Sequence, residues 1–237
     1  MSRVLLVAAT TGYQVRSFQE AAQRLGVELL LATDRCHVLD DPWRDGAIPI
    51  RFYDELGAVS IIQEAAVNRP LDGITAVGDR PAIIAAAAAH ALGLGGHQPD
   101  AVRAAGNKLT TRHRLREHGL PVPWFLDFPV DVFLDSDLPL DVPFPCVVKP
   151  LSMAASRGGI RVDRTEDLAA AVSRVRSLLG RPKMQVLRDP SSQTLLVEAF
   201  IPGREIAIEG VLTQGRLQVF AVFDKPDPLE GVLGIVQ

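Results

Sequence analysis

The sequence contains few of the residues that mark several common classes of protein. Only two cysteines, Cys36 and Cys146, occur in 237 residues. They are far apart and outside any paired metal-ligand spacing, so a disulfide scaffold or a zinc site is not indicated. Two buried thiols in a reducing compartment is the simpler interpretation, with one disulfide as the alternative. Aromatic residues make up 5% of the chain and the net charge is −3. Nucleic acid is therefore not expected as a partner.

Long apolar runs are also absent. The longest mostly apolar stretch, PAIIAAAAAHALGLGG, is interrupted by His90 and Gly93 before it is long enough to cross a bilayer. The opening MSRVLLVAATTG is too short for a signal peptide and is typical of a first buried strand. We therefore expect no membrane association and a cytoplasmic location.

Buried strands and amphipathic helices alternate over residues 1–100. Val4 to Ala9 is apolar on both faces, as in a strand covered by helices on each side. Helices are predicted from Gln14 to Leu25, over 55–68 and from Pro81 to Leu92, with strands VELLLAT, AIPIRF and DGITAV between them. This alternation predicts an α/β, Rossmann-like domain with a parallel sheet.

The pattern changes after a boundary that we place between residues 97 and 107. A helix is predicted from Asn107 to His118 and another after Thr165, which resembles an N-cap. The stretch 127–145, rich in proline and acid, predicts a loop with one short strand. The chain ends in the strand-like LLVEAF, EIAIEGVLT and RLQVFAVF. Such runs of strands indicate a second, α+β domain over 107–237.

Two common phosphate-binding motifs are missing. The sequence has no G-x-x-x-x-G-K-[ST] and no G-x-G-x-x-G after its first strand, so neither a P-loop protein nor a nicotinamide-dependent oxidoreductase is favoured. A different arrangement occurs in FPCVVKPLSMAASRGGIRV, where Lys149 ends a strand before a loop of small residues. Backbone N–H groups of such a loop can face phosphate oxygens. Taken alone, Lys149 could equally be a surface lysine. Gly158-Gly159 alone is better explained as a plain hairpin turn.

A second arrangement suits a nucleoside. In LLVEAFIPGREIAIEG, Glu198 ends an apolar strand and Glu205 follows a Pro-Gly turn. Main-chain groups of such a hinge can bind adenine, and a carboxylate can accept hydrogen bonds from two ribose hydroxyls. Taken singly, both residues are better explained as solvated acids of an edge strand.

These stretches, together with NKLTTRHRLREHGLPVP, occur in an order and spacing that resemble the ATP-grasp superfamily. Its members include biotin carboxylase, carbamoyl phosphate synthetase and amino-acid ligases. The resemblance covers residues 107–212, and the first domain is similar to the one that precedes ATP-grasp in these enzymes. The fold it implies is an α/β Rossmann-like (pre-ATP-grasp) domain followed by α+β ATP-grasp lobes, the second of them incomplete.

The resemblance implies two groups of site residues. Lys108, Lys149 and the loop from Ser152 to Gly159 match the parts that grip the ATP phosphates, and this loop has more Ala and Ser than is usual. Within the loop, Ser152, Ser156, Gly158 and Gly159 are the residues expected at the nucleotide.

For the nucleoside, Glu198 and Ile201 match the hinge that reads adenine, mainly through main-chain atoms. Glu205 matches the ribose ligand.

By the same resemblance, ATP with Mg²⁺ would activate a small-molecule carboxylate as an acyl phosphate for attack by an amine or thiol. The carboxylates that hold magnesium in the family have no clear match, and Asp224, Asp227 and Glu230 are more plausibly loop residues. We therefore expect a piece of a longer ligase. The alternative is a non-catalytic nucleotide-binding or regulatory module without a metal site. A homodimer is compatible with either interpretation.

Overall fold

The computed structural model describes residues 1–9, 13–34, 47–131, 141–153 and 158–225. Cys36, Ser156, Asp227 and Glu230, for which the sequence makes predictions, lie outside these ranges. The chain forms two compact units, Met1–Thr111 and Arg112–Gln237. In the ranges that the structure describes, every helix is too short or too polar to cross a membrane.

The first unit is a parallel sheet with helices on both faces. Its elements are β1 (Arg3–Ala8), α1 (Tyr13–Leu25), β2 (Glu28–Thr33), β3 (Ala47–Pro49), α2 (Glu55–Val67), β4 (Gly73–Val77), α3 (Asp79–Ala91) and α4 (Pro99–Ala105). The strand order is β3-β2-β1-β4, and every pair is parallel. The predicted α/β, Rossmann-like domain is confirmed.

The buried first strand explains why the sequence is apolar at successive positions. Leu5 and Val7 belong to one buried cluster, which also contains residues of α2 and α3. Leu6 and Ala8 belong to another, against which Phe18 of α1 packs. Because successive side chains of a strand point to opposite faces, a strand buried on both sides needs no polar position.

Helix α4 was not predicted, because the domain boundary was placed over its residues. Pro99 occupies its first turn, where the missing N–H costs no hydrogen bond. Arg103 pairs with Glu55 of α2 and with Asp100 of its own first turn. A seven-residue helix held by such contacts has too short an apolar pattern to be read from sequence.

The second unit is built on an antiparallel sheet. Helix α5 (Lys108–Glu117) starts just before it, and the following elements are β5 (Phe125–Pro129), β6 (Cys146–Pro150), β7 (Ile160–Val162), α6 (Thr165–Leu179), α7 (Pro182–Gln185), a short 3-10 helix (Pro190–Gln193), β8 (Thr194–Ala199), β9 (Ile206–Thr213) and β10 (Arg216–Asp224). The four-stranded sheet has the order β5-β8-β6-β7, and β9 and β10 form a separate two-stranded sheet.

Helix α6 covers one face of the four-stranded sheet. Its buried residues Leu168, Val172 and Val175 share a core with Val148 and Val197 of the sheet. This apolar stripe is the one predicted from helical spacing. The N-cap prediction was wrong by one position: Arg164 is the N-cap, and Thr165 is the first helical residue. Two acidic residues in the first turn complement the helix dipole without a side-chain cap.

The β9–β10 hairpin turns at Gln214-Gly215, as predicted, and both residues have positive φ. Such a turn matches the twist of the flanking strands. The cross-strand register puts one set of apolar side chains on a single face, all roughly half exposed: Ile206, Ile208, Leu212, Leu217, Val219 and Val222. This face of the hairpin is therefore apolar and about half exposed to solvent within the described residues.

Candidate functional site

The face of the four-stranded sheet opposite α6 carries charged residues. Val147 is paired with Glu198 on one side and with Arg161 on the other, so these three side chains share a face. Lys149 lies two residues beyond Val147 and therefore points the same way. Phe125 of β5, paired with Glu198, completes the row. A half-buried sheet face with this many charges is unusual for packing and favours a ligand.

Glu198 is the centre of this face. Its side chain is only 7% exposed, although it is a carboxylate. Nε and Nη2 of Arg112 donate to its two oxygens at 3.0 and 3.3 Å, and the ammonium group of Lys149 contacts the oxygen that Nη2 also contacts. The interpretation as a solvated edge acid is wrong for Glu198, because β8 is an inner strand and the carboxylate is buried between two cations.

Lys149 occupies the next-to-last position of β6, as the sequence indicated. Its side chain is 18% exposed and ion-paired, which rules out an ordinary surface lysine. With two cations and one anion, the group of Arg112, Lys149 and Glu198 has a formal charge of +1. We name it the cationic triad.

Helix α5 supplies the residue that sequence reasoning missed. Arg112 reaches Glu198, while His113 meets Phe125 edge to face with ring centroids 5.2 Å apart. The guanidinium of Arg116 lies 4.0 Å from the centre of the same ring. A helical arginine and a strand glutamate 86 residues apart give no local pattern, so only the fold brings them together.

The loop that was predicted to cover phosphate is described only at its base. The hydroxyl of Ser152 donates to Asp189 at 2.6 Å. Gly158 has φ +77°, and a Cβ there would lie 2.9 Å from Leu178 and 3.1 Å from Pro150. Gly159 is buried. The base of the loop is therefore closely packed, and Gly158 is required both by its backbone angle and by space.

The predicted nucleoside residues lie in β8 and on the segment that connects it to β9. Ile201 is 66% exposed. Glu205 immediately precedes β9, and its half-exposed carboxylate pairs with Lys225 just after β10. Glu198 is the next-to-last residue of β8, so the end of that strand leads into the segment that carries the other two residues. Their roles toward adenine and ribose stay predictions.

Lys108 belongs to the first unit, where it is half-buried at the first position of α5. Asn107 precedes it, and its side-chain oxygen accepts from the N–H of Thr110 at 3.1 Å. This is a standard N-cap contact. The predicted contact of Lys108 with an ATP phosphate stays a prediction.

Within the described residues, no group of three His, Cys, Asp or Glu side chains could hold a metal ion. Asp224, one of the acids near the end of the chain, accepts from Arg204 at 2.9 and 2.5 Å. This contact lowers the pKa of the Asp224 carboxyl from its ordinary value. The prediction that Asp224 is a loop residue is wrong, because Asp224 is the last residue of β10 and belongs to an exposed ion pair at the open end of the hairpin.

The chemical capacity of the site follows from its charges. Lys149 and Arg112 can donate to anionic oxygens, and neither can accept. Arg161, whose guanidinium lies 4.3 Å from the centre of the Phe200 ring, is a third cation on the same face, and it is paired with Asp163 at 2.9 Å. A cationic face with apolar neighbours suits a ligand that combines phosphate and a flat ring.

Two family models match the chain. The ATP-grasp N-terminal domain matches residues 19–96, and the ATP-grasp domain matches residues 142–233. The second range contains Lys149, Glu198 and the β9–β10 hairpin. Together the matched ranges cover well over half of the chain.

The relatives agree with this assignment. The chain is 26% identical over 215 residues to "ATP-grasp enzyme fsqD" of Aspergillus fumigatus, spanning 87% of this chain and 35% of that protein. Among solved structures, it resembles an L-amino acid ligase from Bacillus licheniformis, with 24% identity and a TM-score of 0.71 over 98% of this chain and 53% of that one. It also resembles N5-carboxyaminoimidazole synthetase from Staphylococcus aureus, solved with ADP, with 14% identity and a TM-score of 0.61 over 92% of this chain and 53% of that one.

The chain thus spans about a third of the curated relative and about half of each of these solved structures. The chain is a member of the ATP-grasp superfamily.

Proposed function

We propose that the chain binds ATP on the charged face of its four-stranded sheet, as the nucleotide-binding part of an ATP-grasp ligase. The observation that carries this proposal is the cationic triad, in which two cations surround one buried carboxylate at the charged face of the sheet. Isolated buried charge is costly, so a net positive group on such a face is best explained by an anionic ligand.

In this proposal Lys149 meets the phosphates, together with Lys108 and backbone N–H groups of the Ser152–Gly159 loop. Glu198 and Ile201 read adenine through main-chain atoms, and Glu205 accepts from the ribose hydroxyls. Several related structures carry ligase or synthetase names, two of them were solved with ADP, and one was solved with ATP. These names support ATP as the nucleotide and a ligase as the whole enzyme.

The reaction that the family implies has two steps. A carboxylate oxygen of the substrate takes the γ-phosphoryl group of ATP, and ADP leaves. An amine or thiol then attacks the acyl phosphate, forming an amide or thioester, and inorganic phosphate leaves. Phosphoryl transfer in such enzymes relies on magnesium for charge neutralisation. The residues that the structure describes do not fit a magnesium site, and we derive no step through the metal.

Calorimetric titration with ATP, ADP and AMP tests the binding proposal. Lys149→Ala should weaken ATP far more than AMP, because the lost contact is to the outer phosphates. Lys183→Ala, which removes an exposed lysine of α7, is the matched control and should leave all three affinities unchanged. An equal loss of ATP and AMP in Lys149→Ala would contradict the assignment of Lys149.

A second candidate function is a nucleotide-binding module without catalysis, which the missing metal cluster in the described ranges favours. Titration with and without Mg²⁺, followed by an assay of ADP release over a panel of carboxylates and amines, separates the two. ATP binding that ignores Mg²⁺, with no ADP released, supports the module. Release of ADP that depends on a carboxylate supports the ligase.

A further inference from the structure

Glu198 presents an electrostatic problem for the proposed nucleotide site. Its buried carboxylate lies against Lys149, the residue proposed to meet the phosphates of ATP. If these two groups formed an isolated pair, their charges would cancel, and Lys149 would offer little attraction to an anion. A negative charge held this close would also repel the phosphates.

Arg112 changes this balance. Its guanidinium approaches Glu198 with two donors, Nε at 3.0 Å and Nη2 at 3.3 Å, so that both carboxylate oxygens have an arginine donor. Paired nitrogens are the arrangement by which arginine binds a carboxylate most strongly. The side chain of Arg112 is 21% exposed, and the pair therefore lies largely out of solvent.

We propose that Arg112 is a positioning residue that serves as the counter-ion of Glu198 and thereby leaves the ammonium charge of Lys149 available to the phosphates of a bound nucleotide. The inference rests on the proposed function, and it adds a residue whose effect is exerted through Glu198. Glu198 in turn fixes the ammonium group of Lys149 at one place on the sheet face.

The test compares variants that differ in the formal charge of the cationic triad. It is +1 in the parent chain, zero in Arg112→Met, +2 in Glu198→Gln and +1 again in the double variant. We expect Arg112→Met to weaken ATP roughly tenfold, as Coulomb's law gives for one unit charge about 10 Å away at an effective dielectric near 20. Glu198→Gln should bind ATP at least as tightly as the parent. Glu198→Gln combined with Arg112→Met should recover affinity to within about threefold of the parent, since the charge that needed compensation is gone.

The controls separate charge from structure. Arg114→Met removes an exposed cation from the same helix and should leave ATP affinity within about twofold of the parent. Adenosine, which has no phosphate, should bind all variants alike. Arg112→Lys keeps the charge but loses the paired donors, and it should stay closer to the parent than Arg112→Met does.

Calorimetric titration of the 237-residue chain and its variants with ATP and adenosine tests the proposed role of Arg112. Recovery in the double variant supports the proposal. Three results overturn it: unchanged ATP affinity in Arg112→Met, a loss that Glu198→Gln does not recover, or a loss shared by adenosine. If Arg112→Met fails to fold, ATP affinity in Arg112→Lys and in the double variant gives the same decision. If the parent binds no ATP, the proposed function fails as well. If the parent binds ATP and only Lys149→Ala weakens that binding, the role of Arg112 is wrong while the proposed function stands.

Discussion

Replacing Gly158 by alanine should destabilise the second unit, because two separate features of the structure require glycine there. Its φ is +77°, and a Cβ would lie 2.9 Å from Cδ2 of Leu178 and 3.1 and 3.2 Å from two ring carbons of Pro150. The left-handed conformation costs an alanine about 1–2 kcal/mol. Overpacking adds about 1–3 kcal/mol. Alanine also lowers the conformational entropy of the unfolded chain, which stabilises the folded state by about 0.4–1 kcal/mol.

We therefore expect Gly158→Ala to lower the free energy of unfolding by about 2–3 kcal/mol. Gly119→Ala is the matched control, since Gly119 has φ +67° and open space around its Cα. It should cost about 1 kcal/mol, from the backbone conformation alone. The difference between the two variants isolates the steric contribution of Pro150 and Leu178.

Urea unfolding followed by tryptophan fluorescence measures the free energy of unfolding of both glycine variants. Trp124 lies in the second unit, and a Trp43→Phe background makes it the only tryptophan. With a slope near 2 kcal/mol per molar urea, the expected midpoint shifts are about 1 M for Gly158→Ala and about 0.5 M for Gly119→Ala. Leu178→Ala should relieve part of the clash, so the double variant should be more stable than additivity predicts. Equal shifts for the two glycines, with an additive Leu178→Ala effect, would refute the reasoning.

Three further predictions concern the hairpin, the buried thiol and the ribose residue. The double variant Ile208→Thr with Val222→Thr should reduce self-association, as measured by light scattering. It should change the free energy of unfolding by less than about 1 kcal/mol, because both side chains are more than half exposed. A larger loss of unfolding free energy would mean that this face is covered in the folded chain. Burial raises the pKa of the Cys146 thiol to about 11, so its contribution to stability is complete below its ordinary value of 9.0 and is lost as pH rises toward 11. In a Cys36→Ser background, stability should fall over that range and a thiol reagent should not label native Cys146 at pH 8; rapid labelling would contradict its burial. Glu205→Ala should distinguish ATP from its 2′,3′-dideoxy analogue less well than the parent does, and unchanged discrimination in titrations would rule out the ribose role.

The sequence predicted most of the fold, because the buried strands and amphipathic helices carry strong periodic patterns. The apolar stripe of α6 and the Gln214-Gly215 turn are local signals of this kind. The start of α6 was misplaced by one residue, because Arg164 at the N-cap makes no side-chain capping hydrogen bond that a sequence pattern could reveal. The short helix α4 was missed because it depends on contacts rather than on pattern. Arg103 holds α4 through Glu55, a residue 48 positions away.

The candidate site was predicted in part for the same reason. Lys149 and Glu198 could be named because each ends a recognisable strand. Their pairing, the burial of Glu198 and the involvement of Arg112 could not, because sheet register and a helix from another part of the chain bring them together. Ser152 was expected at a phosphate, and nothing in the sequence indicated that its hydroxyl would donate to Asp189.

The most direct test of the central claim is nuclear magnetic resonance of the isotopically labelled chain during titration with ATP. If the charged sheet face binds the nucleotide, the amide signals of β6 and of the segment from Glu198 to Glu205 should shift together and saturate with one affinity. Lys149→Ala should weaken that affinity. Signals that move only in the first unit, or that do not move at all when ATP is in large excess, would contradict the account.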